Sequence, residues 1–569
     1  MYMNNIIFKK LVTDFISSNK SFMITYIIII IFTWPSEAIL LSRLYSNLVT
    51  SLRKKTSFNN IFDISNNIKN QNAFGILGII LFIWIVLIIF YRLKYTMEQK
   101  LFPIYMSYIR ETLINGILES NSSNFKDIKT GEYIAIINEL THVFLSLLQM
   151  ITNKFLPIFI GLLLISLYYL YLNTTIGFTF IVLSIIRIFN NYYQGINYAK
   201  NCAIRDKSYF KLNEHINDTF NNSLNIHLNN AMTYEKRKGR KITDKYDTEQ
   251  EQEMERKTSI TWKSNLLTIV CFLVMIILSY YLFSKNKISL QILITIAFIE
   301  IKLIGQFIDF DSTSLVFFQK FGTIIATIDF LNEILKNKDE SDKKCNIKSG
   351  SIQIQNMSFQ YNKDSPPVFK NMNLNIKSGD RIGLLGRSGS GKTTLMKILL
   401  GLHEHTHGDI KIGGCDIKKI KHDVLRNKIT YINQKTLLFN ESVLKNIQYG
   451  NSELTEETVK KFLNKYRLNE IYDGLDNGIN TKAGVNGSFL SLGMQKVTMI
   501  LRGIFKKGDI YIFDEPLAGL DEKTRVKIID VINDIDKEKT IIVVTHDPEI
   551  LSHLNNIYRL NEIHDSLSI

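Results

Sequence analysis

An α-helical membrane domain followed by a soluble α/β domain is the fold class predicted by this 569-residue chain. Three observations predict it. Six apolar stretches, each long enough to cross a hydrocarbon core of about 30 Å, all lie in the first part of the chain. A glycine-rich loop, Gly383 to Thr394, sits between a short apolar run and a helix-like stretch. Beyond residue 350, strands and helices alternate, as expected of a layered α/β domain.

Composition fits this division. The chain is too long for one ordinary domain, and 46% hydrophobic residues beside 21% charged ones, with a mean hydropathy of +0.03, is apolar for a wholly soluble protein. A net charge of +15 raises the question of nucleic acid, but much of the Lys and Arg falls in loops between apolar spans. Anionic lipid is the simpler partner, and no nucleic acid is expected. The four cysteines, Cys202, Cys271, Cys345 and Cys415, are far apart with neither metal-ligand spacing nor a disulfide framework, and read as ordinary thiols.

Asn4 to Ser17 place Ile6, Ile7, Leu11 and Phe15 at helical spacing beside Lys9 and Lys10, suiting a short helix in the membrane interface. A signal peptide fits less well, because the apolar stretch that follows is longer than an h-region and lacks a small-residue cleavage site. The spans cover roughly residues 22 to 44, 73 to 92, 155 to 172, 175 to 195, 265 to 284 and 288 to 308. Long connections follow the second and fourth spans, and short ones follow the third and fifth. The connection after the fourth carries Lys236, Arg237, Lys238, Arg240 and Lys241, so the positive-inside tendency puts the long loops and both termini in the cytosol. The Arg53 to Lys55 cluster is an exception. Tyr105 to Leu118, Glu132 to Met150 and Lys207 to Leu228 carry apolar residues at three and four spacing, predicting membrane helices that continue past the bilayer. The domains expected are a membrane domain at 1–335, a linker at 336–350 and a nucleotide-binding domain at 351–569.

The chemistry lies in that last domain. Gly386, Gly391, Lys392 and Thr393 occupy the fixed positions of G-x-x-x-x-G-K-[ST], with Arg387, Ser388, Gly389, Ser390 and Thr394 around them. Glycines let backbone N–H groups curl around phosphate oxygens, Lys392 supplies a charge at the β/γ-phosphates, and the Thr393 hydroxyl suits Mg²⁺. Arg381 to Leu385 reads as a buried strand and Thr393 to Leu402 as a packed helix, which together make a P-loop NTPase domain. The run Ile510 to Phe513 ends in Asp514 and Glu515, one carboxylate for Mg²⁺ and a second to orient or deprotonate water. Thr540 to Val544 leads to His546, which could contact a γ-phosphate or serve as an ordinary polar loop residue.

These motifs, in this order, resemble an ABC transporter nucleotide-binding domain, and the whole chain resembles an exporter-type half-transporter of that family. The resemblance implies that Tyr361 stacks on adenine and that Gln434 links Mg²⁺ to the membrane domain. It likewise implies a D-loop at Ala518 to Asp521 and a switch role for His546. Gly131 to Leu140 is similar to a segment of exporter cytoplasmic loops. The cofactors implied are ATP and Mg²⁺, and the partner is a second half-transporter. Family members carry a signature close to LSGGQ, whereas Leu490 to Met494 reads LSLGM. Ser491 and Gly493 keep the groups that touch the opposite subunit's ATP, while Leu492 adds bulk and Met494 lacks an amide. The loop Thr481 to Gly487 lacks the usual acidic residues. Both a homodimer with two altered sites and a heterodimer with one are compatible with this pattern. The activity implied is ATP-driven export of an unidentified substrate, the alternative being a weakly hydrolysing regulatory or scaffold subunit.

Charges within the spans are functional candidates, since each costs about 2.5 to 3.5 kcal/mol on insertion scales. Arg187, Glu300, Lys302 and Glu37 are of this kind. Glu300 and Lys302 are two positions apart and do not face each other, so a partner is required elsewhere. Arg187 with Glu300 is a conceivable pair, and a watery cavity or snorkelling is the alternative.

Overall fold

The computed structural model describes residues 9–53, 73–120, 130–335, 345–362, 365–387, 389–434 and 437–560. Asn4 to Phe8 of the expected interfacial helix, Lys54 and Lys55, residues 336–344 of the expected linker, and Ser388 lie outside them. The chain divides into two compact units, Met1–Leu118 with Asp127–Lys336, and Glu119–Lys126 with Asn337–Ile569.

The first unit is helical: α1 (Lys20–Pro35), α2 (Leu41–Arg53), α3 (Ala73–Ser120), α4 (Thr130–Met150), α5 (Leu156–Leu172), α6 (Thr174–Asn221), α7 (Ser223–Leu228), α8 (Met232–Ser284), α9 (Leu290–Ala326) and α10 (Ile328–Ile334). Six continuous helical stretches among the described residues are long and apolar enough to cross a membrane. The first span is interrupted, since a π-helical turn at Ser36–Leu40 separates α1 from α2. A similar turn at Ile151–Phe155 joins α4 to α5. With 48 residues, α3 and α6 are each about 70 Å long at 1.5 Å per residue, far beyond a bilayer core. The helical spacing noted within the long loops is thus the continuation of the spans themselves. The tight connection between α5 and α6 is the single residue Asn173, whose side chain accepts hydrogen bonds from the Thr175 and Ile176 amides as an N-cap.

Lys9–Thr13 and Asp14–Ser18 form two short helical turns that pack on the far part of α3. Leu11 and Phe15 are buried there, and the Tyr105 hydroxyl donates to the Leu11 carbonyl at 3.0 Å.

Charges inside this unit are satisfied by long-range partners. Arg187 pairs with Asp311 at 3.2 Å, not with Glu300, and its guanidinium lies 3.7 Å from the Phe307 ring centroid. Asn191 and Thr268 donate to the same Asp311 carboxylate. Glu300 accepts from the Tyr169 hydroxyl at 3.0 Å, and Lys302 pairs with Glu37. Sequence spacing missed Asp311 because it lies past the apolar window of the last span, and α9 continues through it to Ala326.

The second unit holds two sheets. An antiparallel one has the order β2-β1-β4-β5, from β1 (Ile352–Phe359), β2 (Phe369–Ile376), β4 (His407–Ile412) and β5 (Cys415–Asp416). A parallel one has the order β6-β7-β8-β3-β9, from β3 (Arg381–Leu385), β6 (Ile429–Ile432), β7 (Ile510–Asp514), β8 (Thr540–Val544) and β9 (Asn556–Arg559). Every residue of β7 and β8 is buried, as expected for parallel strands covered on both faces. Helices α11 (Lys392–Leu399), α12 (Leu492–Phe505) and α13 (Glu522–Asn533) bury their apolar faces in this domain.

The cysteine reading needs correction. Cys345 and Cys415 form a disulfide with a Cα–Cα distance of 6.0 Å, while Cys202 and Cys271 are free and buried. The bridged pair is 70 residues apart, and only the return of the chain at β5 beside the segment leading into β1 brings them together. The Cys345 amide marks that path, donating to the Lys419 carbonyl at 3.1 Å.

Candidate nucleotide site

Parallel strands send their C-terminal ends to one edge of the sheet, where open α/β folds bind ligands. Here β3, β8 and β7 lie side by side, with Leu384 opposite Val544 and Val544 opposite Asp514. The loop after β3, the carboxylates after β7 and the histidine after β8 therefore emerge together, although more than a hundred residues separate the first from the other two.

The loop turns sharply into α11. Gly389 and Gly391 have φ of 84° and 91°, where a side chain would be strained, and a Cβ on Gly391 would come within 2.7 Å of the Phe369 ring. Lys392 folds its ammonium back onto the Gly386 and Arg387 carbonyls, the second at 3.0 Å. Ser390 Oγ is buried with no hydrogen-bond partner, as expected for a donor that meets a phosphate oxygen. Thr393 is exposed in the first turn of α11. Thr394 faces inward, and its hydroxyl pairs with the Tyr361 hydroxyl at 2.7 Å. The Tyr361 ring stands edge-on to Phe359 and His403 and is 52% exposed, leaving area for a base to stack.

Asp514 ends β7 only 5% exposed. The Tyr431 hydroxyl donates to its carboxylate at 2.9 Å. Burial raises the proton affinity of Asp514, with Tyr431 and the neighbouring Lys496 and Lys392 acting in the opposite sense. Glu515 follows at φ 48°, in the left-handed region that non-glycine residues seldom occupy and that costs of order 1–3 kcal/mol. Hydrogen bonds hold it: its amide donates to the Val544 carbonyl at 2.8 Å, and its carboxylate accepts from Thr545 at 3.1 Å. His546 is exposed one residue beyond. Gln434 is exposed just past β6, which pairs with β7 through Ile432 and Phe513.

Three residues of the expected set sit at helix starts. Ser491 caps α12, accepting from the Met494 amide at 3.2 Å. Gly493 lies in its first turn, where an added Cβ would meet nothing closer than Leu520 at 3.8 Å. Leu492 is 73% exposed, so its bulk points outward. Asp521 caps α13, accepting from the Thr524 amide and hydroxyl at 3.0 and 2.7 Å. Those bonds hold its carboxyl below the usual carboxylate range.

Sequence reasoning missed Tyr431, Thr545 and Lys496. Lys496 alone carried a readable signal: it lies four residues before Ile500 and seven before Gly503, a charge in register with the buried face of a helix.

The residues fit a magnesium nucleotide. Among the described residues no cluster of three His, Cys, Asp or Glu forms a metal cage. Mg²⁺ does not require one, since it is commonly held by one or two protein ligands with phosphates and water. Thr393, Gln434 and Asp514 are the residues that would hold it.

Fold and site together define an ABC-type nucleotide-binding domain joined to a six-span membrane domain. Residues 369–518 match the ABC transporter family. Over 236 residues, 41% of this chain, it is 29% identical to an ATP-dependent lipid A-core flippase of Saccharophagus degradans. Over 238 residues it is 31% identical to a mitochondrial iron–sulfur clusters transporter, ATM1, of Debaryomyces hansenii. The chain spans 40% and 34% of the lengths of these two relatives. A solved structure of a bacterial Atm1-family ABC exporter with ATP bound superposes with a TM-score of 0.85 at 15% identity, covering 97% of this chain and 95% of the other. The chain thus has the fold of an ABC exporter.

Proposed function

We propose that this chain is one half of a dimeric exporter driven by ATP hydrolysis, with its nucleotide-binding domain and both termini in the cytosol. The observation that carries the reading is the convergence of the Lys392 loop, Asp514, Glu515 and His546 on one sheet edge, in a chain whose other unit has six spanning helices. The lysine-rich start of α8, Lys236 to Lys241, supports the orientation. The relatives' names point the same way, one being an ATP-dependent flippase and the other a transporter of a quite different cargo.

In this reading the amides of the loop and Lys392 bind the phosphates while Tyr361 stacks on the base. Glu515, fixed by Val544 and Thr545, orients the attacking water and takes up its proton as the γ-phosphoryl bond breaks. His546 contacts the γ-phosphate as it leaves. Mg²⁺, when bound, supplies charge neutralisation of the phosphates. Ser491 and Gly493 close over ATP held by a second nucleotide-binding domain, from another copy or from a different half-transporter. Domain closure on ATP and release after hydrolysis alternate the membrane helices.

The test is ATP turnover by the full chain in lipid, with and without Glu515→Gln. Turnover that falls about a thousandfold in the variant, with ATP binding kept, is the expected result. Binding without turnover in the natural protein, alone or with a copurified partner, would favour the regulatory subunit instead.

A further inference from the structure

The platform for the base rests on a residue that the nucleotide reading does not use. Tyr361 is held from three sides. Its hydroxyl pairs with that of Thr394, in the first turn of α11, at 2.7 Å. Its ring stands at 79° to Phe359 with centroids 5.1 Å apart, and at 84° to His403 with centroids 5.5 Å apart. Those two rings stack on each other at 28° and 5.7 Å, and Phe359, the buried last residue of β1, anchors the seat in the antiparallel sheet.

Local geometry delivers His403 to this place. Beyond α11 the chain reverses at Gly401, whose φ is 65°, with the Gly401 amide donating to the Ile398 carbonyl at 2.9 Å and the Leu402 amide to the Lys397 carbonyl at 2.8 Å. Thr406 then fastens the loop to β1, its amide and hydroxyl donating to the Ser358 carbonyl at 2.8 and 2.9 Å. The helix that starts at the phosphate loop thus holds Tyr361 near its beginning through Thr394 and just past its end through His403. The imidazole serves there as a ring. Its Nε2 is buried with no hydrogen-bond partner among the described residues. Burial, with the charge of Lys397 acting in the same sense, lowers its proton affinity and keeps it neutral at pH 7.

We propose that His403 is a positioning residue for nucleotide binding: with Phe359 it fixes the Tyr361 ring in the orientation on which a purine base stacks, and so supports affinity for the base and not for the phosphates. A half-exposed ring without this support must be ordered when the base arrives, and the entropy lost is taken from the affinity. An edge-to-face contact of this kind corresponds to about fivefold in binding. The inference rests on the reading of Tyr361 as the surface that takes the base.

The test displaces trinitrophenyl-ATP from the purified full-length protein in lipid and MgCl₂, with ATP and separately with inorganic tripolyphosphate, which has no base. His403→Ala is expected to weaken ATP about fivefold and to leave tripolyphosphate within about twofold of the natural protein. His403→Phe, which keeps a ring and removes the nitrogens, is expected to restore ATP to within about twofold. A purely structural role would not divide the two ligands in this way. ATP affinity unchanged in His403→Ala overturns the proposal, as does an equal loss of both ligands or a phenylalanine variant as weak as the alanine one. Natural protein that binds ATP no better than tripolyphosphate would overturn the base platform itself, and absence of probe binding under every condition would overturn the nucleotide reading, each taking the proposal with it.

Discussion

The helical unit buries most of its charge in ion pairs, whereas the sheet edge of the α/β unit holds its charges with neutral groups. In the helices, Arg187 meets Asp311, Lys302 meets Glu37, and Arg205 meets both Asp206 and Glu253, while Glu300 is held by the Tyr169 hydroxyl. At the sheet edge, Asp514 is held by the neutral hydroxyl of Tyr431, and Lys496 by a carbonyl. Paired charges brace one helix against another, whereas charges held by neutral groups stay available to a ligand.

The largest effect should come from breaking a pair in the helical unit. Arg187→Leu leaves Asp311 buried and uncompensated, and thermal unfolding in detergent should show a loss of about 3–5 kcal/mol. Adding Asp311→Leu should recover most of it, since the isolated charge is then gone. A double variant as unstable as the single one would break the comparison.

Tyr431→Phe probes the other unit. Removing a hydroxyl that bonds a buried carboxylate should cost about 1.5–3 kcal/mol without ligand. The loss should shrink in Mg²⁺ and ATP, because the ligand engages the same carboxylate. An equal loss with and without ligand would mark Asp514 as an ordinary core residue. A smaller effect is expected at α13, where Asp521→Ala removes an N-cap at a cost of about 1 kcal/mol and Asp521→Asn restores most of it.

The contrast also explains what the sequence made legible. The β3 run, the Gly386 to Thr393 loop, the buried strand ending in Asp514 and Glu515, and the continuous helices are local patterns, each contained in a short window. The partners depend on distant pairing: Asp311 lies 124 residues from Arg187, and Tyr431 reaches Asp514 only because β6 pairs with β7. The antiparallel sheet was hidden within the broad alternation of strands and helices for the same reason, since β1 pairs with β2 and β4 across intervening loops. Lys496 was legible as a charge in register with the buried Ile500 and Gly503, but its contact with Asp514 depends on distant packing.

Asp509, just before β7, gives the smallest effect and the sharpest sign. Burial alone would raise its proton affinity, but ion pairs with Lys428 at 2.7 Å and Lys539 at 2.6 Å outweigh it and hold the carboxyl below its ordinary value of 3.8. A carboxyl whose folded value is depressed contributes stability above its unfolded value and loses it as pH falls through the folded one. The stabilisation should therefore be complete at neutral pH, begin to fall below about pH 4 and be gone once the pH has dropped through the depressed folded value. Asp509→Asn should lower the unfolding midpoint slightly at pH 7, by about 1 kcal/mol or less since the pair is partly solvated, and progressively less as the pH falls below about 4. Asp514 should behave in the reverse sense, because burial raises its value and protonation then favours the folded state. Measuring both asparagine variants between pH 3 and pH 7 would therefore separate, at the two ends of one strand, a carboxylate kept for stability from one kept for a ligand.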